Sequence, residues 1–299
     1  MIVVIFGLGA ALIYGASDFF GAFAARRIHL VTGTLFNYAV ATIGIVIVLL
    51  FVGGAWSPLA VWTGVGCGVV AVFGLLAFYG VLAIGPMSLL SPLIALIQSI
   101  VPVGAAVITG QALTALAWVA IGIGVVALLL LAPKPEPGRQ HITLRAAVLA
   151  VVSGLLLGVS LVILDFAPHD SGVVPSVTEI AAGTAVLAIV WLVLRLLPVR
   201  AKTGALSFLQ PGPDAVATLS SRRAWLAAAA SGVLVSGADA LIVLDLHVGN
   251  LAIVSVLVAL YPVLTVILAA TVLKERMTRL QFVAVGLVIV ASLLFSATS

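Results

Sequence analysis

The feature that most constrains this chain is its series of long apolar runs. Hydrophobic residues make up 64% of its 299 residues and charged residues only 7%, whereas soluble domains carry roughly 45–50% apolar and about 25% charged residues. One globular core cannot bury that excess, so lipid is the expected solvent. A helix needs about 20 apolar residues to cross the hydrocarbon layer. The sequence therefore predicts an all-α membrane protein with ten transmembrane helices, over residues 2–24, 31–52, 59–83, 87–109, 115–132, 143–164, 175–197, 224–246, 250–272 and 278–297.

Two five-helix halves are the predicted domain organisation. A linker at 133–142 separates a first copy, residues 1–132, from a second copy, residues 143–299. Residues 85–131 align without a gap on 249–295, at a shift of 164, with 16 identities in 47 positions. Because five is an odd number, the second copy must lie upside down in the membrane relative to the first. Inverted repeats of this kind are used by secondary transporters that expose one site to each side in turn.

The basic residues indicate an orientation. All 13 lie in or beside odd-numbered connections between the predicted helices, and the even-numbered connections carry none. The positive-inside rule makes the odd-numbered connections cytoplasmic and places both termini on the opposite side. The loops thus explain the net charge of +4, and nucleic-acid binding is not expected.

Signals for catalysis, metals and cofactors are missing from the sequence. There is no GxxxxGK[ST] motif for ATP, and the glycines of "GLGAAL" and "GVGCGV" lie inside helices, which favours close helix packing over dinucleotide binding. The four histidines, His29, His141, His169 and His247, lack metal-ligand spacing, and Cys67 is the single cysteine. We therefore expect neither an enzyme nor a bound metal or cofactor.

The last predicted hairpin resembles the C-terminal signature of the EamA-type drug/metabolite transporter superfamily. The signature combines an apolar helix with a central proline, an L-x-E motif, a polar turn and a glycine-bearing helix. It is carried here by Pro262, Leu273, Glu275, Thr278, Gln281, Gly286 and Ile289. The resemblance implies a ten-helix permease of the inner or plasma membrane, often an exporter of amino acids or other small metabolites. It also implies cytoplasmic termini, which conflicts with the charge distribution.

A secondary active transporter that moves a small organic metabolite by alternating access is the leading hypothesis. Proton antiport is one hypothesis for its coupling. A facilitative carrier or uptake permease would need no coupling residue, and a channel or a non-transporting membrane sensor is the alternative outside the carriers. Ten helices suffice for a complete pathway, so we expect a monomer, with the bilayer, a small-molecule substrate and protons as its partners.

Acidic residues inside helices are the first candidates for substrate or ion binding, because a charge at the membrane centre costs at least ~2.5–3.5 kcal/mol. Asp239 is the deepest, and it shares a helix face with Ser236, in a stripe of small and polar residues that suits a cavity. Asp18 shares a face with Tyr14 in the first helix. Either carboxyl could bind a proton or a substrate amine. Alternatively, Asp239 accepts a hydrogen bond from a neighbouring helix and Asp18 reaches interfacial water.

Helices four and nine supply further candidates. Gln98 lies at the centre of helix four with Ser91 on its face, and its amide must pair with substrate or with another helix. In helix nine Tyr261 precedes a proline, which should leave the carbonyl of Val258 available. Tyr79 is a candidate with a simple packing alternative.

Four other acidic residues lie near the predicted helix ends, opposite the basic loops: Asp165, Asp170, Glu179 and Asp245. We expect them to form a solvated rim or an acidic vestibule. Such a rim would attract basic or zwitterionic solutes.

Overall fold

The protein is all-helical in the part that the structure describes. The computed structural model describes residues 1–25, 28–84, 87–131, 144–196, 222–264, 267 and 278–297, with the backbone alone at 22, 23, 25, 79–84, 87–92 and 145. Its ten α-helices are α1 (Ile2–Ala25), α2 (Leu30–Val52), α3 (Pro58–Ile84), α4 (Met87–Ile108), α5 (Ala115–Leu131), α6 (Leu144–Asp165), α7 (Val174–Leu196), α8 (Arg222–Val248), α9 (Leu251–Ala259) and α10 (Arg279–Ala297). A short 3-10 turn, His169–Ser171, precedes α7. The predicted ten helices are confirmed.

The ninth helix ends earlier than predicted. α9 ends at Ala259, a turn at Leu260 and Tyr261 interrupts the helix, and helical residues resume at Pro262–Leu264. There the Tyr261 N–H donates to the Val258 carbonyl at 3.1 Å. Because Pro262 has no N–H with which to continue the α-helical pattern, the chain tightens to i→i+3 bonds. The prediction that the Val258 carbonyl is left available is therefore wrong.

Helix length and composition fit a membrane environment. Seven helices contain stretches long and apolar enough to cross a membrane: Ile2–Gly21, Leu30–Val52, Pro58–Phe78, Ala146–Asp165, Val174–Leu196, Arg222–Val248 and Arg279–Ala297. Shorter apolar helices cover Leu93–Ile108, Ala115–Leu131 and Leu251–Leu264. Large apolar side chains such as Leu50, Phe51 and Ile108 are strongly exposed. An outer surface of this kind is stable in lipid and not in water.

Most of the packing joins the first five helices to the last five. α1 packs on α8 and α9, α2 on α7 and α8, α3 on α6 and α7, α4 on α6 and α9, and α5 on α10. The α3–α7 crossing is close enough that a Cβ on Gly68 would lie 2.8 Å from the carbonyl carbon of Glu179. The α2–α8 crossing is similar, since a Cβ on Gly232 would meet the carbonyl oxygen of Asn37. The close packing predicted for the glycines of "GVGCGV" is confirmed at Gly68.

The even-numbered connections meet at one end of the molecule, which we call the short-loop end (residues 53–57, 109–114, 166–173 and 249–250). The Ala55 N–H donates to the Asp170 carbonyl at 3.0 Å. Gln111 joins three segments, because its amide nitrogen donates to the Asp165 carboxylate at 3.3 Å and its carbonyl accepts the Leu251 N–H at 3.1 Å. These bonds tie the connections of the short-loop end to one another.

Four arginine side chains are described at helix ends that belong to odd-numbered connections. Arg195 lies in the last turn of α7, Arg222 and Arg223 begin α8, and Arg279 begins α10. All four are exposed. They lie at the opposite ends of their helices from the short-loop end.

Candidate functional site

Asp239 lies at the contact between α1 and α8. It is 6% exposed, and the Tyr14 hydroxyl donates to its Oδ1 at 2.5 Å. Further along the same contact the Ser17 hydroxyl donates to the Ser231 carbonyl at 3.1 Å, and the Ser231 hydroxyl donates to the Ser17 carbonyl at 2.9 Å. Small residues and interhelical hydrogen bonds allow transmembrane helices to approach closely. Their approach brings Tyr14 to Asp239, a residue 225 positions away in the chain.

A second carboxyl lies close to Asp239. Glu179 on α7 interacts electrostatically with Asp239 and with Cys67 of α3. Oε2 of Glu179 is buried and has no hydrogen-bond partner in the part of the chain that the structure describes. Near the start of α7, the Ser176 hydroxyl donates to the backbone carbonyl of Asp239 at 3.0 Å. We call Asp239, Glu179 and Tyr14 the carboxylate site.

The charge balance of the carboxylate site is unfavourable. The four arginine side chains that the structure describes are exposed at helix ends, so none of these four pairs with Asp239 or Glu179. A single charge in the membrane interior costs at least ~2.5–3.5 kcal/mol, and two adjacent negative charges also repel each other. A proton on one carboxyl, or the cationic group of a ligand beside it, would relieve both costs. Among the described residues no group of three His, Cys, Asp or Glu side chains could hold a metal ion.

The family follows from the second half of the chain. Residues 144–297, just over half of the sequence, match the EamA-like transporter family. The chain belongs to this family. The resemblance carried by the last hairpin is thereby confirmed, and the protein is a multi-pass membrane transporter and not a member of an enzyme family.

A solved structure supports the same fold for the whole transporter. A protein described only as "Crystal structure of protein" superposes with a TM-score of 0.73, over 99% of this chain and 96% of its own. It is 15% identical to the transporter, so this likeness shows the fold alone. No curated protein matches the sequence.

Two of the acidic residues assigned to the rim of the transporter lie further inside than predicted: Asp245 is buried, and Glu179 is partly exposed but has a buried Oε2. Glu179 follows a helix start whose residues Val174–Val177 are already buried. The loop residues Gly53 and Gly54 cover this start, since the Val173 N–H donates to the Gly53 carbonyl at 3.3 Å. Asp245 is 0% exposed.

The rest of that acidic set remains near the surface. Asp170 is exposed, and Asp165 is partly exposed and bonded to Gln111. Among the described acidic groups at or beside the short-loop end, these two carboxyls are the ones nearest the surface.

Ser236 packs between helices. Its hydroxyl donates to the Val233 carbonyl at 2.7 Å, and a Cβ on Gly44 of α2 would lie 3.0 Å from the Ser236 Cβ. Gly232, one turn earlier, contacts α2 in the same way. This face of α8 is therefore a contact with α2, in place of the cavity predicted from the sequence.

The remaining candidates do not join the carboxylate site through described contacts. Asp18 and Gln98 are partly exposed, and neither side chain forms a hydrogen bond within the described ranges. Tyr261 is partly exposed at the break in the ninth span and packs against the main core. The side chains of Tyr79 and Ser91 lie outside the described residues. Among these remaining candidates Asp18 is nearest in the chain to the carboxylate site, because it is one helical turn from Tyr14.

Sequence inspection missed Glu179 as a site residue. The available signal was the Gly64-x-x-x-Gly68 spacing around Cys67, which predicts a close helix crossing. The sequence does not reveal that the partner in this crossing is α7, because the two helices come from different halves.

Proposed function

We propose that this transporter is a secondary active exchanger that moves protons in one direction and an amine-bearing metabolite, such as an amino acid, in the other. Alternating access exposes the carboxylate site to each side in turn. The observation that supports the proposal is the pair of carboxyls, Asp239 and Glu179, without a described cation beside them. A proton and a substrate ammonium group each neutralise the pair, and they compete for it. Competition for one site is sufficient to couple their movements in opposite directions.

Export is the direction that we propose for the metabolite. When the side outside the cell is the more acidic, protons bind there and drive the amine outward. The acidic groups Asp165 and Asp170 at the short-loop end would attract cations to that entrance. We also propose that the basic helix ends face the cytoplasm of the cell's inner or plasma membrane, which places both termini outside, and that the working unit is a monomer.

An inverted repeat of residues 1–132 and 143–299 would supply the two alternating states. The helix pairings support this part of the proposal, because they are unchanged when each helix is exchanged for the one five places away. The α1–α8 contact becomes α6–α3, the α3–α7 contact becomes α8–α2, and α5–α10 maps onto itself. The predicted linker, 133–142, lies outside the described residues.

Individual residues repeat in the same way. Gly68 and Gly232, which mark the two close crossings, are 164 residues apart, the shift at which the halves align. Thr42 of α2 and Thr184 of α7 contact each other through their hydroxyls at 2.9 Å, which is expected if these two corresponding helices meet at a twofold axis. Two such halves can exchange conformations about that axis while the site remains at the centre.

The experiment that tests the proposal is transport by the purified protein in liposomes. Amino acids, diamines and other small metabolites are screened for saturable counterflow, and the active solutes are then tested for accumulation against their gradient under an imposed pH gradient. We expect amine-bearing solutes to exchange, and the pH gradient to drive their accumulation.

Variants then identify the coupling residues. Asp239→Asn and Glu179→Gln should each abolish accumulation driven by the pH gradient, and Asp18→Asn provides the comparison with the other intramembrane aspartate. Asp170→Asn, at an exposed loop carboxyl, is the matched control and should behave as wild type. Undiminished pH-driven accumulation in both Asp239→Asn and Glu179→Gln would refute the assignment of the carboxylate site.

Two other outcomes would favour the alternative functions. Saturable counterflow that no ion gradient drives would indicate a facilitative carrier or uptake permease. Flux without saturation or counterflow would indicate a channel, and no flux for any solute would favour a membrane sensor.

A further inference from the structure

Asp245 is a buried carboxyl that the proposed exchange does not use. It lies on α8 near the short-loop end and is 0% exposed. Neither Oδ1 nor Oδ2 has a hydrogen-bond partner among the described residues. A Cβ on Gly7 of α1 would lie 2.9 Å from Oδ2 and 2.9 Å from the Leu257 side chain of α9. The carboxyl is thus enclosed between the backbone of α1 and the apolar surface of α9.

Among the described residues, no charged group compensates the Asp245 carboxyl. None of their ionisable groups acts electrostatically on it. Along α1 the ionisable groups on either side of Gly7 are the Met1 amino group, six residues before it, and Tyr14, two turns beyond it, and the described part of the ninth span has only Tyr261. On α8 itself, His247 lies on the opposite face, with its ring 5.8 Å from the ring of His169.

The residues around Asp245 show whether a metal cation or a proton can neutralise its carboxylate. A carboxylate left in an apolar interior without a hydrogen bond is strongly unfavourable. A metal cation would need several further oxygen ligands, whereas the described neighbours beside Oδ2 are the backbone of Gly7 and the Leu257 side chain, which supply no such side-chain oxygen. A proton removes the charge without any further ligand.

We propose that Asp245 is a second proton-binding site of this transporter, and that its proton is trapped while α8 is packed on α1 and α9. Release of the proton requires water at the carboxyl, and water enters only when α8 separates from α1 beside Gly7. The proposal does not require Asp239 or Glu179 to be the coupling site.

Linkage gives the consequence for the short-loop end. Closure buries the proton, so proton binding and closure stabilise each other. The ratio of closed to open molecules then rises by at most about tenfold for each unit by which the pH falls, the limit for one proton. Acid on that side would hold the entrance closed after the proton has been loaded.

Infrared spectroscopy of the protein in liposomes tests the binding site directly and needs no substrate. The pH is raised stepwise while the C=O stretch of protonated carboxylic acids is followed. We expect Asp245→Asn to lose a component that persists in wild type after the exposed carboxyls have ionised. Asp170→Asn, the matched control, should retain it. An unchanged band in Asp245→Asn would overturn the proposal.

A second variant keeps the test valid if Asp245→Asn does not fold. Gly7→Ala leaves every acidic group in place and pushes α1 away from the carboxyl, so the persistent component should ionise at lower pH. Gly9→Ala is the control on the same helix, because its Cβ would lie 3.4 Å from Leu241, an ordinary contact. Identical titrations of Gly7→Ala and Gly9→Ala would contradict the proposed trapping by α1.

Distances between spin labels test the linkage to closure. Labels on cysteines at Ile2 and Val248, both exposed near the short-loop end, report the separation of α1 and α8. Cys67 is buried, and wild type with this cysteine alone is the labelling control. In wild type we expect the fraction of molecules with a long distance between the two labels to grow as the pH rises. In Asp245→Asn this fraction should not depend on pH. A pH dependence equal to wild type in Asp245→Asn would overturn the linkage.

Discussion

A single methyl group at Gly68 should displace a carboxyl of the proposed site. The added Cβ would lie 2.8 Å from the carbonyl carbon and 3.0 Å from the Cα of Glu179, and closer still to its carbonyl oxygen. Ordinary contacts of a Cβ begin at 3.4 Å. The obstacle is helix backbone, which cannot rotate away as a side chain would. Gly68→Ala therefore requires α7 to move away from α3 by about 1 Å at the residue that carries the carboxyl.

Gly68→Ala should lower both the stability of the protein and its rate of transport. Overpacking of a close contact costs about 1–3 kcal/mol, so the free energy of unfolding should fall by that amount. When a group that positions the substrate is displaced by about 1 Å, the rate of the step that it supports can fall by about 100-fold. We therefore expect the exchange rate of Gly68→Ala to fall by roughly 10- to 100-fold. The amount of folded protein should fall by a smaller factor.

Gly66→Ala provides the matched control on the same helix. Its Cβ would lie 3.4 Å from Ile163, a contact that needs no adjustment. Both variants are compared with wild type by detergent-induced unfolding in lipid and by counterflow in liposomes at equal amounts of folded protein. If Gly68→Ala matches Gly66→Ala in both assays, the α3–α7 crossing does not position Glu179 and the reasoning is refuted.

Three further predictions concern hydrogen bonds between helices. Tyr14→Phe should lower the free energy of unfolding by about 1–3 kcal/mol, because Asp239 loses its hydroxyl donor, and by less in an Asp239→Asn background; an equal loss in both backgrounds would contradict a direct bond. Ser17→Ala and Ser231→Ala should show a coupling energy of about 0.6–1.7 kcal/mol in a double-mutant unfolding cycle, and additive losses would contradict their exchange of bonds. Gln111→Ala removes the acceptor of the first N–H of α9, so hydrogen exchange at the start of α9 should accelerate by roughly 5- to 100-fold, and exchange as slow as in wild type would show that Gln111 does not hold the short-loop end.

The helices were predictable because lipid imposes a length on every span. Predicted and observed bounds agree within three residues for all helices except the ninth. In the ninth span the sequence showed Pro262 as a break but not the geometry of that break. A proline can leave a carbonyl free or tighten the preceding turn, and the packing of the neighbouring helices decides which occurs.

The candidate site was only partly predictable, because its members come from helices far apart in the chain. Asp239 was recognisable from its depth in an apolar run. Tyr14 was chosen for its spacing from Asp18, whereas the fold brings it to Asp239 through the α1–α8 contact. Glu179 was placed on a rim because it lies near the start of a helix. The loop that buries this helix start is contributed by residues 53–54, a long-range contact that no local pattern encodes.

The pairing of helices across the two halves has a consequence for biosynthesis. Asn37 donates to the Ser231 hydroxyl at 2.7 Å, and Ser17 bonds to the same residue, so both polar groups of the first half depend on α8. The ribosome delivers α1 and α2 long before α8. Until then these side chains enter the bilayer without their final partners, and α3 has neither α6 nor α7 beside it. The first five helices therefore cannot complete their packing as they emerge, and a nascent chain stalled after residue 131 should remain exposed to membrane chaperones and proteases.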